Sequence, residues 1–115
     1  MKKLVTLALA MVLALSATAA KKVTRVSCVG NSITYGYKIP DREVNSYPAQ
    51  LQKMLGEKFE VGNFGHSGAT LLRHGHNPYY KNPEFQQAID FKGDIAVIHL
   101  GINDTDPRDW PNYRD

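Results

Sequence analysis

Two apolar rhythms alternate along this chain. Residues 23–29 (Val-Thr-Arg-Val-Ser-Cys-Val) are rich in β-branched side chains and stop at Gly30, which predicts a first strand. Tyr47, Leu51, Met54 and Leu55 then recur at helical spacing. Ser46 stands in the capping position, Pro48 in the first turn and Gly56 at the stop, so a helix is expected between them. Residues 59–62 predict a short second strand. Asn82 and Pro83 open a second helix with Phe85, Ala88 and Ile89 on one side. Residues 94–100 are almost continuously apolar before Gly101, a pattern suited to a parallel strand buried on both faces. Strand, helix, strand, helix, strand argues for an α/β fold with a parallel sheet covered by helices. Residues 71–81, rich in His, Asn, Pro and Tyr, predict a surface loop near the strand ends.

The amino-terminal pattern is different. Met1-Lys2-Lys3 is basic, residues 4–15 are apolar apart from Thr6, and Ala17-Thr18-Ala19 is a small-x-small site. That order reads as a secretory signal peptide over residues 1–19. The apolar run is shorter than the roughly 20 residues a spanning helix needs, so no stable membrane insertion is expected after cleavage. The expected location is secreted or periplasmic. Of 14 Lys and Arg, removal of Lys2 and Lys3 leaves 12 against 11 Asp and Glu, a net charge of about +1. This balance gives no reason to expect nucleic acid or an anionic lipid surface as partner. Cys28 is the single cysteine and reads as a small buried hydrophobe.

Three turns follow the three strands: Gly30-Asn31-Ser32-Ile33-Thr34, Gly62-Asn63-Phe64-Gly65-His66-Ser67-Gly68 and Gly101-Ile102-Asn103-Asp104. Open α/β sheets build their sites at the carboxyl ends of their strands. There Ser32 could attack an acyl carbon if a base took its proton, or it is a helix-cap serine. Gly65 could bring a backbone N–H to an oxyanion, or form a plain turn. The Asn103 amide could be a further donor, or close an Asx-turn. Asp104 is expected to pin its loop through local backbone bonds. Asn31 and His66 could line a substrate pocket, and His99 is expected to pack within the third strand. Lys38, Arg42, Arg73, Tyr79 and Tyr80 could touch substrate or simply face solvent. His74 and His76 have a spacing that invites a metal, but no third ligand is suggested nearby, so neither metal nor cofactor is expected.

In this order, the three turns resemble the first three blocks of the SGNH (GDSL-type) hydrolase family, with wording similar to secreted bacterial carbohydrate esterases of the sialate O-acetylesterase type. The resemblance covers essentially all of residues 23–115. It implies a three-layer, flavodoxin-like sheet in the order 2-1-3-4-5, of which residues 20–115 supply an amino-terminal portion ending after the third strand. It also implies Ser32 as nucleophile, Gly65 and Asn103 as oxyanion donors, and an O-acetylated carbohydrate as substrate. A lysophospholipase or thioesterase of the same family is the enzymatic alternative, and an inactive chain that at most binds ligand is the other. Two departures stand out. Asn31 replaces the usual Asp of the first block, and the Asp-x-x-His block that supplies the family's base and acid is absent from this sequence.

Overall fold

A computed structural model describes residue 20 and residues 22–112; the signal-peptide reading of residues 1–19 lies outside the described residues. Strand β1 (Thr24–Gly30) lies between β2 (Phe59–Gly65) and β3 (Ile95–His99), and both neighbours pair with it in parallel. The order β2-β1-β3 corresponds to the first three places of a flavodoxin-like sheet. Side chains alternate across the strands. Val26 and Cys28 are buried on one face, where Cys28 meets Tyr47 and the Tyr47 hydroxyl lies 3.3 Å from Thr34 Oγ1. Burial pushes the Cys28 thiol pKa up, against an opposing bond from Tyr47. Such a thiol is a packing group.

Four helices flank the sheet: α1 (Ser32–Tyr35), α2 (Arg42–Asn45), α3 (Tyr47–Leu55) and α4 (Pro83–Phe91). Tyr47 of α3 covers the Cys28 face. On the opposite face, the ring centroids of β2 Phe64 and α4 Phe91 lie 5.2 Å apart. The result is helix, sheet, helix in three layers. Both expected caps have other duties. Ser46 occupies the N-cap of α3 without a side-chain cap bond. It is 1% exposed and sits where a Cβ on Gly36 would come within 2.9 Å of its own Cβ. Asn82 turns its amide to Asn77 Oδ1 and the Pro78 carbonyl. Strand β2 runs three residues past the expected Gly62, to Gly65.

The third strand departs most from expectation. All five residues of β3 are exposed, so burial on both faces does not hold, and His99 is not packed. The cause is positional: among the described residues β3 is a sheet edge, and α4 packs over β1 and β2. Between α4 and β3 an apolar groove of about 620 Å³ stays open, lined by Val29, Phe85, Ile89, Ala96, Ile98 and Leu100 among others.

Gly65 joins the two ends of this architecture. A Cβ built there would lie 2.1 Å from Tyr35 N and 2.7 Å from Thr34 C, both backbone atoms of α1 that cannot rotate away. Gly65→Ala is therefore expected to destabilise the chain by about 1–3 kcal/mol. A lower urea midpoint with an unchanged slope is the expected reading; an unchanged midpoint would show that α1 does not press on β2.

Candidate active site

The strand register sets the geometry. Gly30 is level with Gly65 on one side and His99 on the other, so all three strands end together. Backbone bonds continue past the ends: Asn31 N–H donates to the His99 carbonyl at 3.3 Å, and His66 N–H to the Gly30 carbonyl at 2.9 Å. The Asn103 amide closes the third side by donating to the Ala69 carbonyl at 2.9 Å. The three sequence motifs thus form one mutually bonded set of turns.

Ser32 is the first residue of α1 and is half-buried. Asn31 caps that helix, its Oδ1 accepting the Ile33 N–H at 3.0 Å. Asn31 is fully buried, and its Nδ2 has no partner among the described residues. The first N–H groups of a helix lack intrahelical acceptors, and the Ser32 N–H has none among the described residues.

The second turn distributes its roles differently from the sequence expectation. Gly65 N–H donates to Asn63 Oδ1 at 3.0 Å, so the donor expected to face an oxyanion is already engaged. Gly68 lies three residues on at φ +82°, a left-handed conformation that favours glycine, and its N–H has no acceptor among the described residues. The sequence did contain this residue, as the second glycine of Gly65-His66-Ser67-Gly68. His66 is turned to α4, its Nδ1 2.9 Å from Glu84 Oε2.

The segment after β3 holds residues 71–81 in place. Asp104 accepts the Leu71 N–H at 3.0 Å and the Leu72 N–H at 2.6 Å. It pins not its own loop through the local bonds expected, but one more than thirty residues away. Asp109, 1% exposed, accepts the His76 N–H at 2.6 Å and lies against His76 Nδ1. No group of three His, Cys, Asp or Glu suited to a metal occurs among the described residues. At the loop's far end Tyr79 is buried and donates to the Phe64 carbonyl at 2.6 Å. Beyond Asn103, Arg108 grips the Asp106 carboxyl through its side chain and its backbone N–H, holding that exposed group well below the usual carboxylate range.

Two outcomes follow from these contacts. Asp104→Ala leaves two N–H groups unpaired in a half-buried loop, about 1–3 kcal/mol for each one that water cannot reach. Limited trypsin digestion should then cut after Arg73 faster than in the parent chain; an equal rate would mean that Asp104 does not hold the loop. Tyr79 gives a pH signature. Burial, with Glu84 nearby, pushes its phenol from 10.0 up to about 12. Between those values the unfolded chain loses the proton and the folded chain keeps it, so stability falls as pH rises from 10 through 12. In urea titrations across that range Tyr79→Phe should lose most of this slope, while Tyr47, also raised by burial, keeps a residue of it.

Comparison with known proteins agrees with this geometry. Residues 28–114 match the GDSL-like lipase/acylhydrolase family. An acetylxylan esterase of Xylanibacter ruminicola is 48% identical over 86 residues, which are 75% of this chain and 18% of that protein. The solved structure of AlinE4, a SGNH-hydrolase family esterase, is similar with a TM-score of 0.55 at 25% identity, over 75% of this chain and 44% of that one. A point mutant of AlinE4 gives the same values. The chain therefore spans less than a fifth of the curated relative and less than half of the solved esterase. No helix among the described residues is long and apolar enough to cross a membrane. Family match, strand order and the three bonded turns agree: this chain belongs to the GDSL-like lipase/acylhydrolase family.

Proposed function

We propose that this chain carries the nucleophile and oxyanion side of an exported serine esterase that removes O-acetyl groups from carbohydrates. One observation carries the reading: three strand-end turns bonded to each other, with donors left over. The Ser32 and Gly68 N–H groups are unbonded among the described residues, and the Asn103 amide gives one hydrogen to Ala69 and keeps the other. In the proposed reaction Ser32 Oγ attacks the ester carbonyl carbon. The carbonyl oxygen gains negative charge, which the Ser32 N–H, the Gly68 N–H and the Asn103 amide receive. The carbon–oxygen bond to the sugar then breaks, the sugar oxygen leaves with the proton that Ser32 Oγ gave up to the base, and water hydrolyses the acetyl-Ser32 ester to acetate and free Ser32. Gly65, first expected as the donor, keeps a steric role instead, because its N–H is engaged and its missing side chain admits α1.

The general base is not assigned within residues 1–115. Among the described residues, His66–Glu84 and His76–Asp109 act as ties between segments. The family's Asp-x-x-His block is absent from the sequence. An acetylated sugar as substrate is supported by the acetylxylan esterase similarity, and export by the amino-terminal pattern. Exposed Ile33 and Ile102, neighbours of Ser32 and Asn103, favour the second reading, an enzyme for longer acyl chains.

A fluorophosphonate probe, with imidazole added to stand in for the unassigned base, tests the nucleophile without needing turnover. Ser32 should carry the adduct by peptide mass spectrometry, and Ser32→Ala should abolish it. Where hydrolysis of p-nitrophenyl acetate is measurable, Asn103→Ala should lower kcat by about 10²–10³. Labelling that survives Ser32→Ala would remove Ser32 from the mechanism. Preference for octanoate over acetate would move the substrate to long acyl chains.

A further inference from the structure

The segment that follows α1 holds a costly backbone for no reason found in the core. Lys38 has φ +60° and Asp41 φ +47°, two of the three left-handed non-glycine residues described, and Gly36 has φ +89°. Each such non-glycine residue is strained and persists only where its surroundings over-determine it. Yet residues 37–41 are all exposed, so no burial demands this shape. Polar contacts impose it. Tyr37 N–H donates to the Ser32 carbonyl at 2.9 Å, and Ile39 N–H to the Gly36 carbonyl at 3.1 Å. Asn45 Nδ2 holds the Pro40 carbonyl at 2.8 Å. Arg42 donates to the Tyr35 carbonyl at 2.9 Å, with its guanidinium 3.9 Å above the Tyr35 ring centroid.

This clamped loop displays Tyr37, which is 58% exposed. The other tyrosines are placed differently. Tyr79 is buried, Tyr35 lies under Arg42, Tyr47 packs on Cys28, and Tyr80, 41% exposed, stands on the loop of residues 71–81. Among the described tyrosines, Tyr37 is the one bonded through its backbone to the proposed nucleophile residue. The two stand five positions apart, and the 2.9 Å bond from the Tyr37 N–H to the Ser32 carbonyl folds the loop back on the helix that Ser32 opens.

We infer that Tyr37 is a stacking platform for a backbone sugar of an acetylated polysaccharide, next to the residue that carries its acetyl group. This rests on the reading of Ser32 as nucleophile toward a carbohydrate ester. The negative face of the ring attracts the positive C–H edge of a pyranose. The Lys38 ammonium, 5.5 Å from the ring centroid, supplies a donor for the sugar's hydroxyls. A tyrosine has few rotors, and a loop already fixed loses little freedom on binding. A flexible acyl chain would gain nothing from so rigid a surface.

The test is affinity electrophoresis of the chain in native gels cast with soluble acetylated xylan. The chain should be retarded, Tyr37→Ala should raise the apparent Kd at least tenfold, and Tyr37→Trp should restore retardation. Far-UV circular dichroism checks that both variants keep the parent fold, as expected for a side chain this exposed. Tyr37→Ala retarded as strongly as the parent, or a parent chain that is not retarded at all, overturns the inference. Fluorophosphonate labelling of the parent at Ser32, with imidazole present as the base, is scored separately. Its failure sinks the esterase reading, whereas labelling without retardation sinks only the sugar platform.

Discussion

The parallel pairing of β1 with both neighbours governs what the strand ends can hold. Because Gly30, Gly65 and His99 are level, each following turn begins at the same height above the sheet. Gly30 can occupy the middle only without a side chain. A Cβ there would lie 2.1 Å from Thr34 Oγ1 and 2.7 Å from the His99 carbonyl, so α1 folds directly over the end of β1. A slip of one residue would turn Val26 and Cys28 toward α4 and bring Ser27 and Val29 under Tyr47, exchanging the two faces of the strand. Register and site are therefore one constraint. The same pairing that buries Cys28 aligns Ser32 with the turns that supply its proposed oxyanion donors.

Above that constraint the structure depends on carboxylates that accept backbone N–H groups. Asp104 and Asp109 are both buried, and both reach back more than thirty residues to the loop after β2. A buried carboxylate is tolerable when fixed donors satisfy it, and each bond to the charged oxygen is stronger than a neutral one. Asn103 belongs to the same segment as these two anchors. Its amide is thus oriented by more than its own bond to Ala69, and the loop carrying Arg73, Tyr79 and Tyr80 is held to the proposed oxyanion side of the site.

Much of this was legible in the sequence, for identifiable reasons. The order of strands and helices followed from periodicity ended by glycine, and the sites of Ser32 and Asn103 from where glycine turns meet strand ends. Helix α1 was not legible because four residues carry no period. The exposure of β3 was not legible because an apolar run reports what neighbours a strand suits, whereas its burial depends on which neighbours lie beside it. Ser46 and Asn82 hold the N-cap positions without a side-chain cap bond, and the Asn82 amide is turned instead to Asn77 and the Pro78 carbonyl. Gly65 and Gly68 look alike in a sequence. Only the backbone angle and the fate of each N–H separate a packing glycine from a candidate donor.

Asn31 brings the sequence departure and the site together. Its Oδ1 is fixed by the Ile33 N–H, which requires an oxygen, so the buried remainder of the side chain must be the amide donor. An Asp at this point, as in the family's usual first block, would cap α1 equally well. It would also hold a buried negative charge one residue from Ser32. In a medium of low dielectric that charge opposes a second negative charge forming nearby. The neutral amide caps the helix without this opposition, and leaves the Ser32 and Gly68 N–H groups to act on an oxyanion whose field is not already offset. The substitution that weakens the match to the family's wording is thus compatible with the chemistry proposed for the turn beside it.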